Sequence, residues 1–259
     1  MPHPPILLPE IAEGRQRDVR ATLDAYDLIA RRLVEHEVRR VLMISTHGIV
    51  TLRRFHILDA RLSGNLSRFR APQITFERDP DSELVGSIRR VAEEHDLPLA
   101  ATQSWEESDH SIGVPLSLLG DAVPSEIAIV SISFRSPEDH LRLGQAIGEA
   151  LSAIKEPTAI LASGDAVHTL TEASAYKHHP RAQEVQIEFE TALTSWEPDR
   201  LCAIDESLRR EVDESVISPT LVLMGALQGL RAHPRILATE HPWGVGYVTS
   251  LVEVSEEGG

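Results

Sequence analysis

The sequence predicts an α/β protein: a single three-layer α/β/α domain around a mostly parallel or mixed central sheet. Two observations lead there. Apolar runs of strand length alternate with longer amphipathic stretches from end to end, the order expected when helices cover the faces of a sheet. The interior also lacks any Gly/Ser- or Pro-rich linker, low-complexity tract or repeat, so nothing divides the 259 residues. One domain over 1–254 is expected, followed by an acidic, glycine-ended tail at 255–259 that reads as disordered.

The elements follow from periodicity. Arg15 to Glu37 spaces Val19, Leu23, Tyr26, Ile29, Ala30 and Leu33 three and four residues apart, which makes one apolar helix face. It leads into an apolar strand at Arg40 to Ser45. Further strands are expected near Arg54 to Leu58, Leu97 to Thr102, Ile127 to Ser133, Thr158 to Ala162, Arg235 to Ala238 and Gly246 to Val254. Helices are expected at Ser82 to His95, Pro137 to Ile154, Ala182 to Leu193 and Pro219 to Leu230, with another starting near His110. Ser63 to Asp81, rich in turn and polar residues and without clear periodicity, reads as a long loop over one end of the sheet.

Composition narrows the function. With 25 Lys+Arg against 40 Asp+Glu the formal charge is −15 and no basic patch stands apart, which argues against nucleic acid and anionic membranes as partners. The single Cys202 excludes an intrachain disulfide framework and a Cys-rich zinc module, and it suits a reducing cytosol. No run approaches the ~18 apolar residues of a membrane span, and Met1 to Glu10 lacks the basic-then-apolar order of a signal peptide. A cytoplasmic location is therefore expected.

Histidine is the anomaly: 12 residues in a chain with 4% aromatics. His36, His56, His95, His140 and His233 fall within expected helices, strands or their ends and read as structural or solvated; His178 and His179, before Pro180, read as a solvated loop in preference to a metal site. Four others share an address where strands end. His3 lies in Pro2-His3-Pro4-Pro5, a stiff extended segment that cannot be helical. His47 follows the apolar run Val41 to Ile44, His110 lies between a polar loop and a helix start, and His168 follows the strand Thr158 to Ala162. The carboxyl ends of strands are where open α/β sheets bind ligands. A carboxylate has a similar place: Glu240 precedes His241-Pro242-Trp243-Gly244-Val245-Gly246-Tyr247, whose glycines permit a tight turn and close backbone approach. Two imidazoles and one carboxylate form the facial set of non-haem Fe(II) oxygenases, which His3, His47 and Glu240 can supply. No short metal motif is present, so a plainer reading stays open, with His47 and His168 ending strands and Glu240 a surface acid.

Taken together, Pro2-His3-Pro4-Pro5-Ile6-Leu7-Leu8-Pro9-Glu10, Ile44-Ser45-Thr46-His47-Gly48, Asp109-His110 with Val114-Pro115-Leu116, Ser163-Gly164-Asp165 with His168, and Gly244-Val245-Gly246-Tyr247 resemble the class III, LigB-type extradiol ring-cleavage dioxygenases and the related Memo-like proteins. The five segments run in order over nearly the whole chain. The resemblance implies a mononuclear Fe(II) held by His3, His47 and Glu240, with O2 as co-substrate and a catecholic or aminophenolic substrate. It implies His168 as the acid/base residue, His110 as a second histidine that binds or polarises a substrate oxygen, and Asp165 as the group orienting His168. Thr46, Ser111, Ala166-Val167 and Trp243 depart from the family's usual residues and alter the pocket without removing an implied ligand. His3 is the third residue, so its place depends on the prolines and on neighbouring loops. Two other readings are weighed: a Memo-like metal- or protein-binding module without ring cleavage, and a zinc hydrolase using the same ligands. A homo-oligomer and a small accessory subunit both remain open.

Overall fold

A seven-stranded, mostly parallel sheet organises the described residues, 1–255 of a computed structural model. In chain order, 3-10 turns at Pro5–Leu7 and Arg15–Val19 flank the short helix α1 (Pro9–Ala12) and lead into α2 (Arg20–Glu35) and β1 (Arg40–Ser45). Then come β2 (Phe55–Leu58), β3 (Leu62–Leu66), β4 (Ala71–Pro80), α3 (Ser82–Glu94), β5 (Leu99–Thr102), α4 (His110–Leu119), β6 (Glu126–Ser131), α5 (Pro137–Ser152) and β7 (Thr158–Ala162). The chain ends with α6 (Ala182–Ser195), α7 (Pro198–Cys202), α8 (Glu206–Glu211), α9 (Ile217–Ala226), β8 (Arg231–Glu240) and β9 (Tyr247–Ser255).

Strand β1 lies between β6 and β7, parallel to both, and β6 continues the sheet to β4 and, antiparallel, to β2. Because side chains alternate across a strand, β1 buries Val41 and Met43 on one face and Leu42 and Ile44 on the other. The first pair packs with Tyr26 and Ile29 of α2 and with Ile112 and Leu116 of α4; the second packs with Leu84 and Ile88 of α3, Leu143 and Ile147 of α5 and Val222 of α9. Both faces are covered, which is why a central strand reads as an unbroken apolar run. The expected α/β/α class is therefore observed. Strands β8 and β9 form a separate antiparallel ribbon, and α6 to α9 enclose a third apolar cluster around Phe189 and Leu221.

The segment expected to be a long loop is instead an antiparallel ribbon, β3 with β4. Its periodicity was hidden because one face is solvated: Leu62, Leu66 and Phe76 point inward, while outward Glu77 and Asp79 pair with Arg61. The expected helix from Arg15 begins as a 3-10 turn and becomes α-helical only at Arg20. Of the tail expected from 255, Ser255 closes β9 and 256–259 lie outside the described residues.

The extended start of the chain is held on three sides. The Met1 amine donates to the Ala162 carbonyl at 2.9 Å, Gly164 N–H donates to the Met1 carbonyl at 3.0 Å, and the buried Tyr26 hydroxyl donates to the Pro2 carbonyl. Residue 3 is thus placed beside the carboxyl end of β7.

Candidate metal centre

Three imidazoles meet where β1, β7 and the amino end of α4 come together. His3, His47 and His110 each offer a ring nitrogen, and these atoms lie within 4.8 Å of one another. His3 Nε2 is 3.2 Å from His47 Nε2, the rings of His47 and His110 stack at 4.2 Å between centroids, and His3 meets both edge-on. His3 is fully buried and His47 is exposed at the mouth.

Each ring is aimed by its backbone and its neighbours. The His3 amide donates to Asp165 Oδ1 at 3.4 Å, and His3 Nδ1 lies 2.8 Å from Ser163 Oγ, which leaves Nε2 facing the other two rings. A ring nitrogen fixed in this way is how proteins orient histidine ligands. His110 is the first residue of α4, where the Asp109 carboxylate caps the helix by accepting from Ser111 N–H. Phe69 of the 3-10 turn Ser67–Phe69, between β3 and β4, stands edge-on to His110 at 4.8 Å.

The electrostatics suit a cation. Burial, reinforced by the crowding of His47 and His110, pushes His3 well below the usual imidazole pKa. Burial and then His47 push His110 down to about 3. Both are neutral at physiological pH, with lone pairs free, the state in which imidazole ligates a metal. Converging imidazoles that each offer one unprotonated ring nitrogen are a fitting donor set for a first-row divalent ion.

His168 lies at the edge of this group and behaves in the opposite way. Burial works against its charge, but the Asp165 carboxylate, 3.5 Å from Nε2, and the Asp213 carbonyl at Nδ1 outweigh it and raise the pKa to about 9. Asp165, almost wholly buried, also lies 3.9 Å from His3 Nε2 and so stands between the two rings. Tyr176 covers His168 edge-on at 5.2 Å.

Four of the expected site histidines are therefore gathered, with Asp165 among them. Glu240 is not. Its carboxylate sits over the first turn of α2, where Oε1 accepts from Ala21 N–H at 3.1 Å and Oε2 accepts from Thr22 N–H at 2.8 Å and Thr22 Oγ1 at 2.6 Å. A helix amino end presents unpaired N–H groups and the positive end of its dipole, so a nearby carboxylate is drawn there. Glu240, expected beside His3 and His47, is thus engaged at α2 instead, and the third side chain grouped with those two rings is His110. The glycines beside it do what the sequence suggested. Gly244 adopts φ +76, and a Cβ on Gly246 would lie 2.0 Å from Gln186 Oε1. Sequence reasoning missed Ser45, Trp105 and Ser163 as supporting groups; the only signal for Ser45 and Ser163 was adjacency to the histidine segments. A cavity of about 840 Å³ lies elsewhere, between β7, α9 and β9, and none of the four site histidines lines it.

The chain and its fold have recognisable relatives. The chain is 27% identical over 266 residues to protein CA_C1420 of Clostridium acetobutylicum, covering 98% of this chain and 56% of that protein, so it spans little more than half of its relative's length. The fold resembles the crystal structure of an uncharacterized protein, JW3007, from Escherichia coli K12, with a TM-score of 0.58 at 16% identity over 82% of this chain and 84% of that one. A family model described as the catalytic LigB subunit of aromatic ring-opening dioxygenase matches residues 1–249, and the chain belongs to that family.

Proposed function

We propose that the chain is an Fe(II)-dependent extradiol dioxygenase that opens the ring of a small catecholic or aminophenolic substrate with O2. The observation that carries this is the convergence of His3, His47 and His110 beside the Asp165–His168 pair in a chain of the LigB family. His3, His47 and His110 would hold the metal on one face, leaving positions for a chelating substrate. The bound metal supplies the redox path between substrate and O2.

The protein's own residues do the rest. Asp165 keeps His168 protonated in the resting site, so His168 enters the reaction as an acid and hydrogen-bond donor to a substrate oxygen. This differs from a resting base, and it follows from the carboxylate beside the ring. Ser163 keeps His3 Nε2 turned inward, and Phe69 gives the His110 side of the site an aromatic wall.

The test is O2 uptake by anaerobically Fe(II)-loaded protein with a panel of catechols and aminophenols. Ring-opened product from the parent is expected, with His168→Ala retaining iron and losing ~10²–10⁴-fold in turnover. Normal turnover by His168→Ala would overturn the acid assignment. A second reading has one specific observation in its favour: three histidines are also the ligand set of an open catalytic zinc site. Ester hydrolysis by the zinc-loaded chain, without O2 uptake by the iron-loaded chain, would favour it.

A further inference from the structure

Two of the three convergent imidazoles hang on loops that share no strand. His47 follows β1, and His110 opens α4 after a polar stretch. Their rings nevertheless stack at 4.2 Å, with 17° between planes. Something must fix one loop against the other, and below the pair lies a carboxylate with no solvent exposure, Asp109.

Asp109 accepts four hydrogen bonds. Oδ1 receives Ser111 N–H at 3.0 Å and Ser111 Oγ at 2.6 Å; Oδ2 receives Ser45 Oγ at 2.6 Å and Trp105 Nε1 at 2.8 Å. All four donors are neutral, so the charge is held by hydroxyl, amide and indole dipoles. Ser45 in turn accepts from His47 N–H at 3.2 Å and Gly48 N–H at 2.9 Å, and Ser111 Oγ accepts from Thr46 N–H at 3.2 Å. Each N–H of residues 46 to 48 thereby reaches Asp109 through one serine hydroxyl. Trp105 closes the arrangement from a second direction. A Cβ on Gly48 would lie 2.3 Å from Trp105 Cζ2, so the indole presses on the His47 loop while its N–H donates to Asp109.

We propose that Asp109 is the positioning residue of the metal centre: through Ser45, Ser111 and Trp105 it locks the His47 loop to the amino end of α4 and sets the spacing of His47 and His110 before any metal arrives. The role in metal binding rests on the function proposed above; the role in holding the two rings does not. Outer partners that orient ligands typically affect metal affinity by about 10- to 100-fold. Asparagine is nearly isosteric but turns one acceptor into a donor facing two donors, so it breaks the lock with little change in volume.

The experiment uses the metal-free chain and its Asp109→Asn variant. Imidazole resonances of His47 and His110 are read by NMR, far-UV circular dichroism reports the fold, and Co(II) affinity is read from the visible absorption of the bound ion. Expected in the variant are native dichroism, His47 and His110 resonances shifted out of their ring-current positions, and a 10- to 100-fold weaker Co(II) site. Trp105→Phe, which keeps the packing and loses one donor, should fall between parent and variant. Unchanged imidazole resonances in folded Asp109→Asn would overturn the proposal, as would shifted resonances with Co(II) affinity within twofold of the parent. If the parent binds no Co(II), the metal reading fails, and the metal-free resonances alone decide the lock. If Asp109→Asn does not fold, Ser45→Ala must shift the same two imidazoles, and failure to do so overturns the proposal.

Discussion

Glu240 and His47 have side chains whose fates separate at the level of single atoms. His47 stands just after β1 and Glu240 ends β8, and both looked able to face a cleft, yet His47 Nε2 lies 3.2 Å from His3 Nε2, while both Glu240 oxygens are taken by Ala21 and Thr22. The two substitutions should therefore have opposite signatures. Glu240→Ala should leave Co(II) or Fe(II) content near that of the parent and lower stability by ~1–2 kcal/mol, the usual loss for a helix amino-end cap, read as a shift in the urea midpoint. His47→Ala should lose the metal. Iron lost from Glu240→Ala at unchanged stability would return the carboxylate to the ligand set. Ser163 offers a finer test, because its hydroxyl touches only the far nitrogen of His3. Ser163→Ala should weaken the metal by ~10-fold while keeping the fold, since the ring loses the partner that fixes its orientation; affinity equal to the parent's would remove Ser163 from the site.

At the scale of elements, what could be read from the sequence was what has a period or a hard constraint. The apolar run of β1, the face of α2 and the proline-locked segment at His3 each announce themselves locally, and all three position the site. The β3–β4 ribbon did not, because only Leu62, Leu66, Ala71 and Phe76 of its strands are buried apolar residues and charges fill the solvated face. The grouping of His110, and not Glu240, with His3 was illegible for a related reason: which side chain faces His3 depends on where α2 begins relative to β8, a long-range packing relation with no signature in local spacing. Close helix crossings are equally silent. Helices α5 and α9 approach through Gly144 and Gly225, and a Cβ on Gly144 would lie 2.2 Å from the Val222 carbonyl oxygen. That atom is backbone and cannot step aside, so Gly144→Val should push α9 off the sheet and cost on the order of 1–3 kcal/mol or more. The measurement is chemical denaturation against the parent, and equal stability would show that the helices can slide apart freely.

For the molecule as a whole, buried neutral imidazoles make stability depend on pH in a direction that the overall acidity does not reveal. His140 shows the effect away from the metal centre. It is almost wholly buried on α5, edge-on to Phe55; its Nδ1 is 2.9 Å from the Ser136 carbonyl and its Nε2 accepts from Ser133 N–H at 3.3 Å. Those partners specify the neutral Nδ1–H form, since a proton on Nε2 would face another donor. Burial, against a smaller opposing pull from the Ser136 carbonyl, lowers its pKa to about 4 from an ordinary 6.5. The unfolded chain therefore binds more protons than the folded one between those values, and folding is favoured above them and penalised below. Full stability from this group is present above about pH 6.5 and is lost as pH falls toward 4, a swing of roughly 3 kcal/mol at one and a third kcal/mol per unit. His3 and His110, lowered in the same sense, add to the slope in metal-free protein. The experiment is urea unfolding of the metal-free chain at intervals from pH 7.5 to 4.5, beside His140→Gln, which cannot titrate. The parent should lose stability faster than the variant across this window, the curves converging as pH falls; parallel curves would mean that His140 is already protonated in the folded protein or is not buried as it is here.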